Sequence, residues 1–262
     1  MIPARKRWGQ HFLASGETAE RIADAARLTS ADTVVEVGPG DGALTRPIAA
    51  RVRRLLAIEI DPLRAAALEE EFSQGRVKIA RGDALERPFA GWLALSGWSG
   101  PAVLVGNLPY NAATPILLAA LGEPETIARC LVTVQREVAE RLCARPGQRS
   151  YGYLSVRTAA FAQARILFDL PPGAFRPRPK VTSSVVELTR RTPPLDPTRR
   201  DGALRLASLG FRMRRKTLAN ALAAEGGREK WERGLDAMGK SPRVRAEELS
   251  LDDYLSLAEI VS

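Results

Sequence analysis

Residues 33–42 read TVVEVGPGDG, a β-branched apolar run that leads directly into a glycine-rich loop. Such a run predicts a buried strand, and glycines let the backbone turn sharply and let a ligand approach the main chain. Gly38, Gly40 and Ala43 satisfy the dinucleotide fingerprint G-x-G-x-x-A, and Glu59 follows about 20 residues later. The loop therefore predicts a nucleotide-type cofactor, with a nicotinamide dehydrogenase as one alternative at this point.

Strand-like and helix-like segments alternate along the first part of the chain. Strands are predicted at residues 33–37, 55–60, 77–80, 102–105, 130–134, 166–170 and 184–188. Helices between them are predicted at residues 63–72, 115–121 and 135–144. This alternation is typical of an α/β fold, in which crossover helices connect the strands of a parallel sheet.

The proline-rich stretch TPPLDP at residues 192–197 interrupts this pattern and predicts a domain boundary. Helices are predicted beyond it at residues 199–209, 216–224, 229–238 and 251–261. The last helix has a start signal, with Ser250 as N-cap and Asp253 three residues later. We therefore predict an α/β domain over residues 1–191, with a basic arm at 1–14, and a helical domain over residues 192–262.

Three carboxylates follow successive predicted strands. Glu36 lies beside the glycine-rich loop, where it would repel a pyrophosphate but could pair with an ammonium group. Glu59 ends the second strand and can accept both hydroxyls of a ribose, and Asp83 is placed to accept from an adenine amine. Together they favour a cationic nucleoside over an anionic dinucleotide. S-adenosylmethionine, with its sulfonium and ammonium groups, is such a ligand.

The tetrad Asn107, Leu108, Pro109 and Tyr110 follows the apolar run at residues 102–106. A side-chain amide and a main-chain carbonyl can accept hydrogen bonds there, while a proline stiffens the turn and an aromatic face stacks on a planar ring. These features predict a pocket for a flat heterocycle with an exocyclic amine. Adenine is the obvious candidate.

Composition limits the remaining classes of protein. A net charge of +9 and a pI near 10.1 suit a polyanionic partner. The chain has one histidine, which argues against zinc sites and catalytic triads that use histidine. We expect no histidine beside the tetrad. Cys130 and Cys143 lack metal-like spacing, which indicates no metal and a reducing, cytoplasmic setting. No apolar run approaches the roughly 18 residues that span a membrane.

Five segments together resemble the ribosomal RNA adenine N6-dimethyltransferases, the KsgA/Dim family. Besides the loop EVGPGDG at 36–42 and the tetrad at 107–110, they are RKRWGQHFL at 5–13, FRPRPKVTS at 175–183 and FRMRRKTLAN at 211–220. The resemblance implies a Rossmann-like class I methyltransferase fold, with a seven-stranded, mostly parallel sheet and a small all-α C-terminal domain. It assigns the first domain to cofactor binding and catalysis, and the second to recognition of RNA and the ribosome.

The resemblance also implies roles for individual residues. Those expected at the cofactor are His11, Leu13, Gly38, Gly40, Glu59, Ile60, Asp83, Ala84 and Asn107. Those expected in catalysis are Asn107, Leu108, Pro109, Tyr110 and Phe175, with the target base between Tyr110 and Phe175. Those expected to contact RNA are Arg5, Lys6, Arg7, Arg178, Lys180, Arg212, Arg214, Arg215 and Lys216. Two positions depart from the family pattern, because Trp8 replaces phenylalanine and His11 stands where asparagine is frequent.

The function that this resemblance implies is dimethylation by S-adenosylmethionine of the N6 amines of two adjacent adenines. These adenines lie in a 3′-terminal hairpin loop of 16S rRNA, and the expected partner is a 30S subunit under assembly. A cytoplasmic monomer is expected. The alternatives are a 23S rRNA methylase of the macrolide-resistance type, a DNA adenine methyltransferase, and a non-catalytic assembly or transcription factor on the same fold.

Overall fold

The computed structural model describes residues 2, 8–73 and 75–261, and its contacts divide the chain into two compact units. The first, the α/β unit, comprises Met1–Ala139 and Arg165–Arg190. The second, the helical unit, comprises Glu140–Ala164 and Arg191–Ser262. The sequence places residues 140–164 in the first domain. In the structure they group with the helical unit because Tyr151, Val156 and Ala160 pack into its core.

The strands of the described chain are, in order, β1 (Phe12–Leu13), β2 (Thr33–Val37), β3 (Arg54–Glu59), β4 (Val77–Arg81), β5 (Ala102–Asn107), β6 (Ile127–Gln135), β7 (Ala162–Leu170), β8 (Phe175–Arg176) and β9 (Ser183–Arg190). The helices that come before Arg191 are α1 (Gly16–Ala25), α2 (Thr45–Arg51), α3 (Pro62–Glu71), α4 (Phe89–Leu95), α5 (Ala113–Gly122), α6 (Arg136–Cys143) and α7 (Tyr153–Phe161). Those that follow are α8 (Pro197–Arg212), α9 (Leu218–Ala221), α10 (Arg228–Ala237) and α11 (Leu251–Ile260).

The main sheet has seven strands in the order β4-β3-β2-β5-β6-β9-β7. The pairs from β4 to β6 are parallel, and β9 runs antiparallel to β6. Every residue of β2 is buried, as expected for a central strand that helices cover on both faces. The predicted α/β fold with a mostly parallel seven-stranded sheet is therefore confirmed.

The strand order switches direction between β2 and β5, which are neighbours in the sheet although β3 and β4 lie between them in the chain. In open α/β sheets such a switch point opens a crevice at the carboxyl ends of the strands. The loop after β2 and the tetrad at the end of β5 therefore meet at one edge of the sheet.

Polar caps define where several helices begin. The Asp61 side chain accepts from the Leu63 backbone N–H at the start of α3, and Pro62 occupies its first turn. Ser250 and Asp253 form the predicted reciprocal capping box of α11, with Ser250 Oγ accepting from the Asp253 N–H at 3.1 Å. The helical unit has its own apolar core, in which Trp231 and Tyr254 are buried.

Candidate active site

Two cavities of the α/β unit lie at the carboxyl edge of the sheet. The larger has a volume of about 190 Å³ and the smaller about 50 Å³. Both are lined by Trp8, Gly38, Ile60 and Pro109. The glycine-rich loop, the end of β3 and the tetrad therefore surround one continuous region.

The larger cavity has apolar walls and one carboxylate. Ile58, Ile60 and Ile116 provide aliphatic surface, and Asp83 lies on the same lining together with Ala84. Asp83 is exposed, and one of its oxygens accepts from the Leu85 N–H at 2.9 Å. Apolar walls that bury a flat ring, with one acceptor at the edge, are the arrangement that an adenine requires. Gly38, Ile60, Asp83 and Ala84 thus lie together where the sequence predicts the cofactor.

Glu59 lines the smaller cavity and is buried. Its two oxygens accept from the backbone N–H groups of Gly40 and Asp61, at 2.9 Å and 2.8 Å. Burial raises the pKa of this carboxyl, while the two backbone hydrogen bonds act in the opposite direction. Because a carboxylate oxygen has two lone pairs, each oxygen of Glu59 can still accept a hydroxyl hydrogen from a ribose.

Phe12, rather than Leu13, faces this region. A β-carbon on Gly40 would lie 2.6 Å from the Phe12 ring, and the Arg64 guanidinium lies 4.3 Å from the centre of that ring. Leu13, the next residue of β1, packs instead against the apolar core. Successive side chains of a strand point to opposite faces, so only one of the two can reach the cavity. The expected position of Leu13 at the cofactor is not what the structure shows, and Gly40 lies under Phe12.

Glu36 also differs from its expected position. The sequence indicates that it could pair with an ammonium group, but its side chain is buried within β2 and lines neither of the two cavities. Burial raises the pKa of its carboxyl to about 8, the nearby Glu59 raises it further, and the neighbouring Thr45 side chain acts in the opposite direction. Glu36 is therefore largely protonated at neutral pH.

Replacing Glu36 with glutamine is expected to stabilise the protein at pH 7 by roughly 3 kcal/mol. Between pH 4.5 and about 8 the unfolded chain releases a proton that the folded chain keeps, so this group lowers stability as the pH rises. Urea unfolding at pH 5 and pH 8 measures the effect, with exposed Glu70→Gln as the control. An equal difference between variant and wild type at both pH values would contradict the assignment.

In the Asn107 side-chain amide, Nδ2 is held by a hydrogen bond, whereas Oδ1 has no partner among the described residues. Its Nδ2 donates to the His11 main-chain oxygen at 2.6 Å. Since that carbonyl can only accept, the orientation of the amide is determined. Oδ1 is buried and has no hydrogen-bond partner among the described residues. A buried acceptor without a partner is unfavourable by about 1–3 kcal/mol, which marks it as a site for an incoming donor.

The rest of the tetrad is held in place by its neighbours. Leu108 is buried, and its N–H donates to the Thr133 main-chain oxygen at 3.1 Å. The Tyr110 hydroxyl lies 2.5 Å from Ser183 Oγ, and burial raises the pKa of Tyr110. The His11 ring stacks on Tyr110 with ring centroids 4.9 Å apart, and its Nδ1 donates to the Pro177 main-chain oxygen at 2.7 Å. The prediction that no histidine lies beside the tetrad is therefore wrong.

Phe175 is buried and lines neither of the two cavities. The sequence predicts it as the second face of a base pocket, but its side chain is 0% exposed and packs into the core with Ile22 and Val185. It pairs with Leu13 across the short β1–β8 ladder, and the neighbouring Arg176 points to solvent. The alternation of this two-residue strand turns Phe175 inward, and the ring that stacks on Tyr110 is that of His11.

The sequence prediction missed several residues that line the cavities. Trp8 lines both cavities, and Gln10 and Phe12 line the smaller one. All three belong to the motif at residues 5–13. The resemblance of that motif to the family was the signal that could have identified them.

The predicted RNA-contacting residues that the structure describes are all exposed. Arg178 and Lys180 lie on the loop after β8 in the α/β unit. In the helical unit Arg212 ends α8, and Arg214, Arg215 and Lys216 form the turn before α9. Arg214 pairs with Glu247 at 2.9 Å. Arg5, Lys6 and Arg7 lie outside the described residues.

The described residues show neither a metal-binding cluster nor a membrane-spanning helix. Residues 2, 8–73 and 75–261 contain no group of three histidine, cysteine or acidic side chains that could hold a metal ion. Across those same residues, no helix combines the length and the apolar character that crossing a membrane requires.

Comparison with known proteins places these features in context. The family model for ribosomal RNA adenine dimethylase matches residues 1–262. Ribosomal RNA small subunit methyltransferase A of Nitrosococcus oceani is 43% identical over 97% of this chain and 94% of that protein. The protein of the same name from Kineococcus radiotolerans is 42% identical over 98% of this chain and 86% of its own length.

Two solved structures are similar along nearly the whole chain. The 23S rRNA methyltransferase ErmE has a TM-score of 0.75 and 27% identity, covering 95% of this chain and 99% of its own. A dimethyladenosine transferase from Plasmodium falciparum has a TM-score of 0.79 and 21% identity, covering 94% of this chain and 96% of its own. At that identity the second structure supports the fold alone.

Proposed function

Because the chain belongs to the ribosomal RNA adenine dimethylase family, we propose that it dimethylates the N6 amines of two adjacent adenines in 16S rRNA. The methyl donor is S-adenosyl-L-methionine, and the target adenines lie in a 3′-terminal hairpin loop. The relatives named small subunit methyltransferase A, at about 40% identity over nearly the full chain, favour the small subunit over the large one.

The buried Asn107 Oδ1 is the observation that carries this proposal. It lies at the carboxyl end of β5 with no partner among the described residues, and the other amide atom is fixed by His11. An exocyclic amine supplies the donor that this acceptor lacks. The tetrad therefore fits an adenine N6 amine.

The cavities beside the tetrad fit the methyl donor. Asp83 would accept from the adenine amine of the donor between the aliphatic walls, and Glu59 would accept from the ribose hydroxyls. Gly38, with φ +73°, brings the main chain to the edge of both cavities without a side chain. When bound, S-adenosylmethionine supplies an electrophilic methyl group on a sulfonium.

The residues of the tetrad act on the target amine. The N6 lone pair of adenine is delocalised into the ring, which makes the nitrogen a poor nucleophile. Hydrogen bonds from N6 to Asn107 Oδ1 and to the Leu108 carbonyl favour a pyramidal, more reactive nitrogen. Tyr110 stacks on the base, which contributes about 1–3 kcal/mol. Positioning supplies most of the rate, and the product ammonium loses its proton to water.

The target base must leave its stack to reach this pocket, so an extruded base is expected. We further propose that the substrate is a 30S subunit under assembly, and that the protein is a cytoplasmic monomer that needs no metal. The exposed basic residues on the loop after β8 and before α9 would contact phosphates.

Incubation with tritiated S-adenosylmethionine and unmethylated small subunits, large subunits or naked DNA tests the proposed function. We expect label on small-subunit RNA, and nuclease digestion should release N6,N6-dimethyladenosine. Label confined to large subunits would support the macrolide-resistance alternative. Label on DNA alone, or on none of the three, would contradict an rRNA dimethyltransferase.

A further inference from the structure

A cleft in the helical unit lies between one face of α7 and one face of α8. From α7 it is lined by Tyr153, Arg157 and Phe161, which are spaced four residues apart. From α8 its lining includes Asp201, Arg205 and Arg212, at helical spacing along one stripe. We name this the α7–α8 cleft, and its volume is about 380 Å³. That volume is within the range of about 300–1,000 Å³ typical of ligand sites.

Two of the three arginines in the cleft are not neutralised. Arg205 pairs with Glu225, and the Asp201 carboxylate pairs with Arg200 at 2.9 Å. The side chains of Arg157 and Arg212 have neither an ion pair nor a hydrogen bond among the described residues. The Nε atom of Arg157 is also buried. The guanidinium groups of Arg157 and Arg212, which line the cleft without a partner in the described part of the chain, can donate to an acceptor there, preferably an anionic one.

The cleft also offers aromatic surface beside these cations. Tyr153 and Phe161 are half-buried against the core of the helical unit. The Arg200 guanidinium lies over the Phe161 ring, 4.7 Å from its centre. Among the described residues, the Tyr153 side chain makes no ring contact and no hydrogen bond. An available aromatic ring next to unpaired guanidinium groups suits a base and its phosphate, because bases stack on aromatic rings and arginine binds phosphate by bidentate hydrogen bonds.

We propose that the α7–α8 cleft binds one nucleotide of the substrate ribosomal RNA, away from the nucleotide that is methylated. Its phosphate contacts Arg157 and Arg212, and its base stacks on Tyr153. This inference rests on the proposed function for the identity of the RNA. It adds Arg157 and Tyr153, which no motif singled out, to the earlier prediction for Arg212.

The double variant Arg157→Ala with Arg212→Ala tests the phosphate contact. We expect its Kd for unmethylated small subunits to rise about tenfold or more at physiological salt, and the slope of log K against log salt to fall by about 1. Arg228→Ala with Arg233→Ala removes the same charge from the exposed face of α10 and is expected to leave the slope unchanged. Arg212→Lys, which keeps the charge, should retain most of the slope.

Thermal melting and the affinity for S-adenosylhomocysteine establish that each variant is folded. If Arg157→Ala unfolds the helical unit, the exposed Arg212→Ala alone gives the same readout with a smaller shift. An unchanged Kd and an unchanged salt slope in a folded double variant would overturn the proposed nucleotide site.

A photoreactive benzoyl-phenylalanine at position 153 identifies the class of partner directly. Irradiation in the presence of small subunits is expected to attach the protein to one short stretch of rRNA. Attachment to a ribosomal protein alone would overturn the nucleotide site and identify a protein-docking surface instead. A wild type that leaves small subunits unmethylated would contradict the proposed function separately, because the cross-link does not depend on methyl transfer.

Discussion

Replacing Asn107 with alanine is expected to lower the rate of methyl transfer by about 100- to 1,000-fold. A loss of this order is typical when one preorganised hydrogen-bonding group is removed from an active site. The substitution removes Oδ1, the buried acceptor that lacks a partner, and also the Nδ2 bond of 2.6 Å to His11. Single-turnover transfer of tritiated methyl groups to small subunits measures the effect on the chemical step.

Binding of small subunits should change little in this variant, because Asn107 is one half-buried side chain and not part of a basic surface. Asn107→Asp is a second test variant. It keeps an acceptor at Oδ1 but replaces the donor Nδ2 with an oxygen that faces the His11 carbonyl oxygen. Exposed Gln163→Ala serves as the amide control. Loss of subunit binding in a folded Asn107→Ala protein would show that Asn107 acts on structure rather than on the target amine.

Replacing Glu59 with alanine is expected to weaken S-adenosylhomocysteine binding by about 100-fold or more. The substitution removes the acceptor for the ribose hydroxyls and leaves the backbone N–H groups of Gly40 and Asp61 without their partner. Each buried donor left unsatisfied is unfavourable by about 1–3 kcal/mol, so a loss of stability is expected as well. Titration calorimetry measures the affinity, and urea unfolding measures the stability.

Glu59→Gln separates these two effects. Its Oε1 can accept one of the two backbone hydrogens, whereas its Nε2 can donate but not accept. We expect affinity between those of wild type and Glu59→Ala. The exposed Glu70→Ala, on α3, removes a carboxylate without touching the cavity. Wild-type affinity in Glu59→Ala would exclude Glu59 from the cofactor site.

The centre of the fold could be predicted from the sequence because its strands are buried on both faces. Residues 33–37 form β2 as predicted, and residues 102–105 lie within β5. Continuous β-branched runs specify such strands locally, without knowledge of their neighbours. The helices α1, α2, α4 and α7 were not predicted. Short helices depend on tertiary packing for most of their stability, so their sequences carry a weaker signal.

The residues of the candidate site at the strand ends could be predicted from the sequence, whereas those in the short strands β1 and β8 could not. Glu59, Asp83 and Asn107 were located from their positions after apolar runs. Leu13 and Phe175 differ from expectation because they pair across β1 and β8, two strands of two residues each. Motif resemblance identifies such residues but does not show which face of a two-residue ladder is buried.

The β1–β8 pair has a consequence for the order of events in catalysis. The segment before β1 carries His11, which contacts both Asn107 and Tyr110, while Phe12 of β1 lies over Gly40. A movement of this segment would therefore alter both the cavity proposed for the donor and the ring proposed to stack on the target base. If the occupant of one site shifts this segment, thermodynamic linkage requires that each occupant alter the affinity of the other by the same factor. Under the proposed function, such linkage would couple the exchange of spent donor for fresh donor, after the first transfer, to the affinity for a half-methylated adenine.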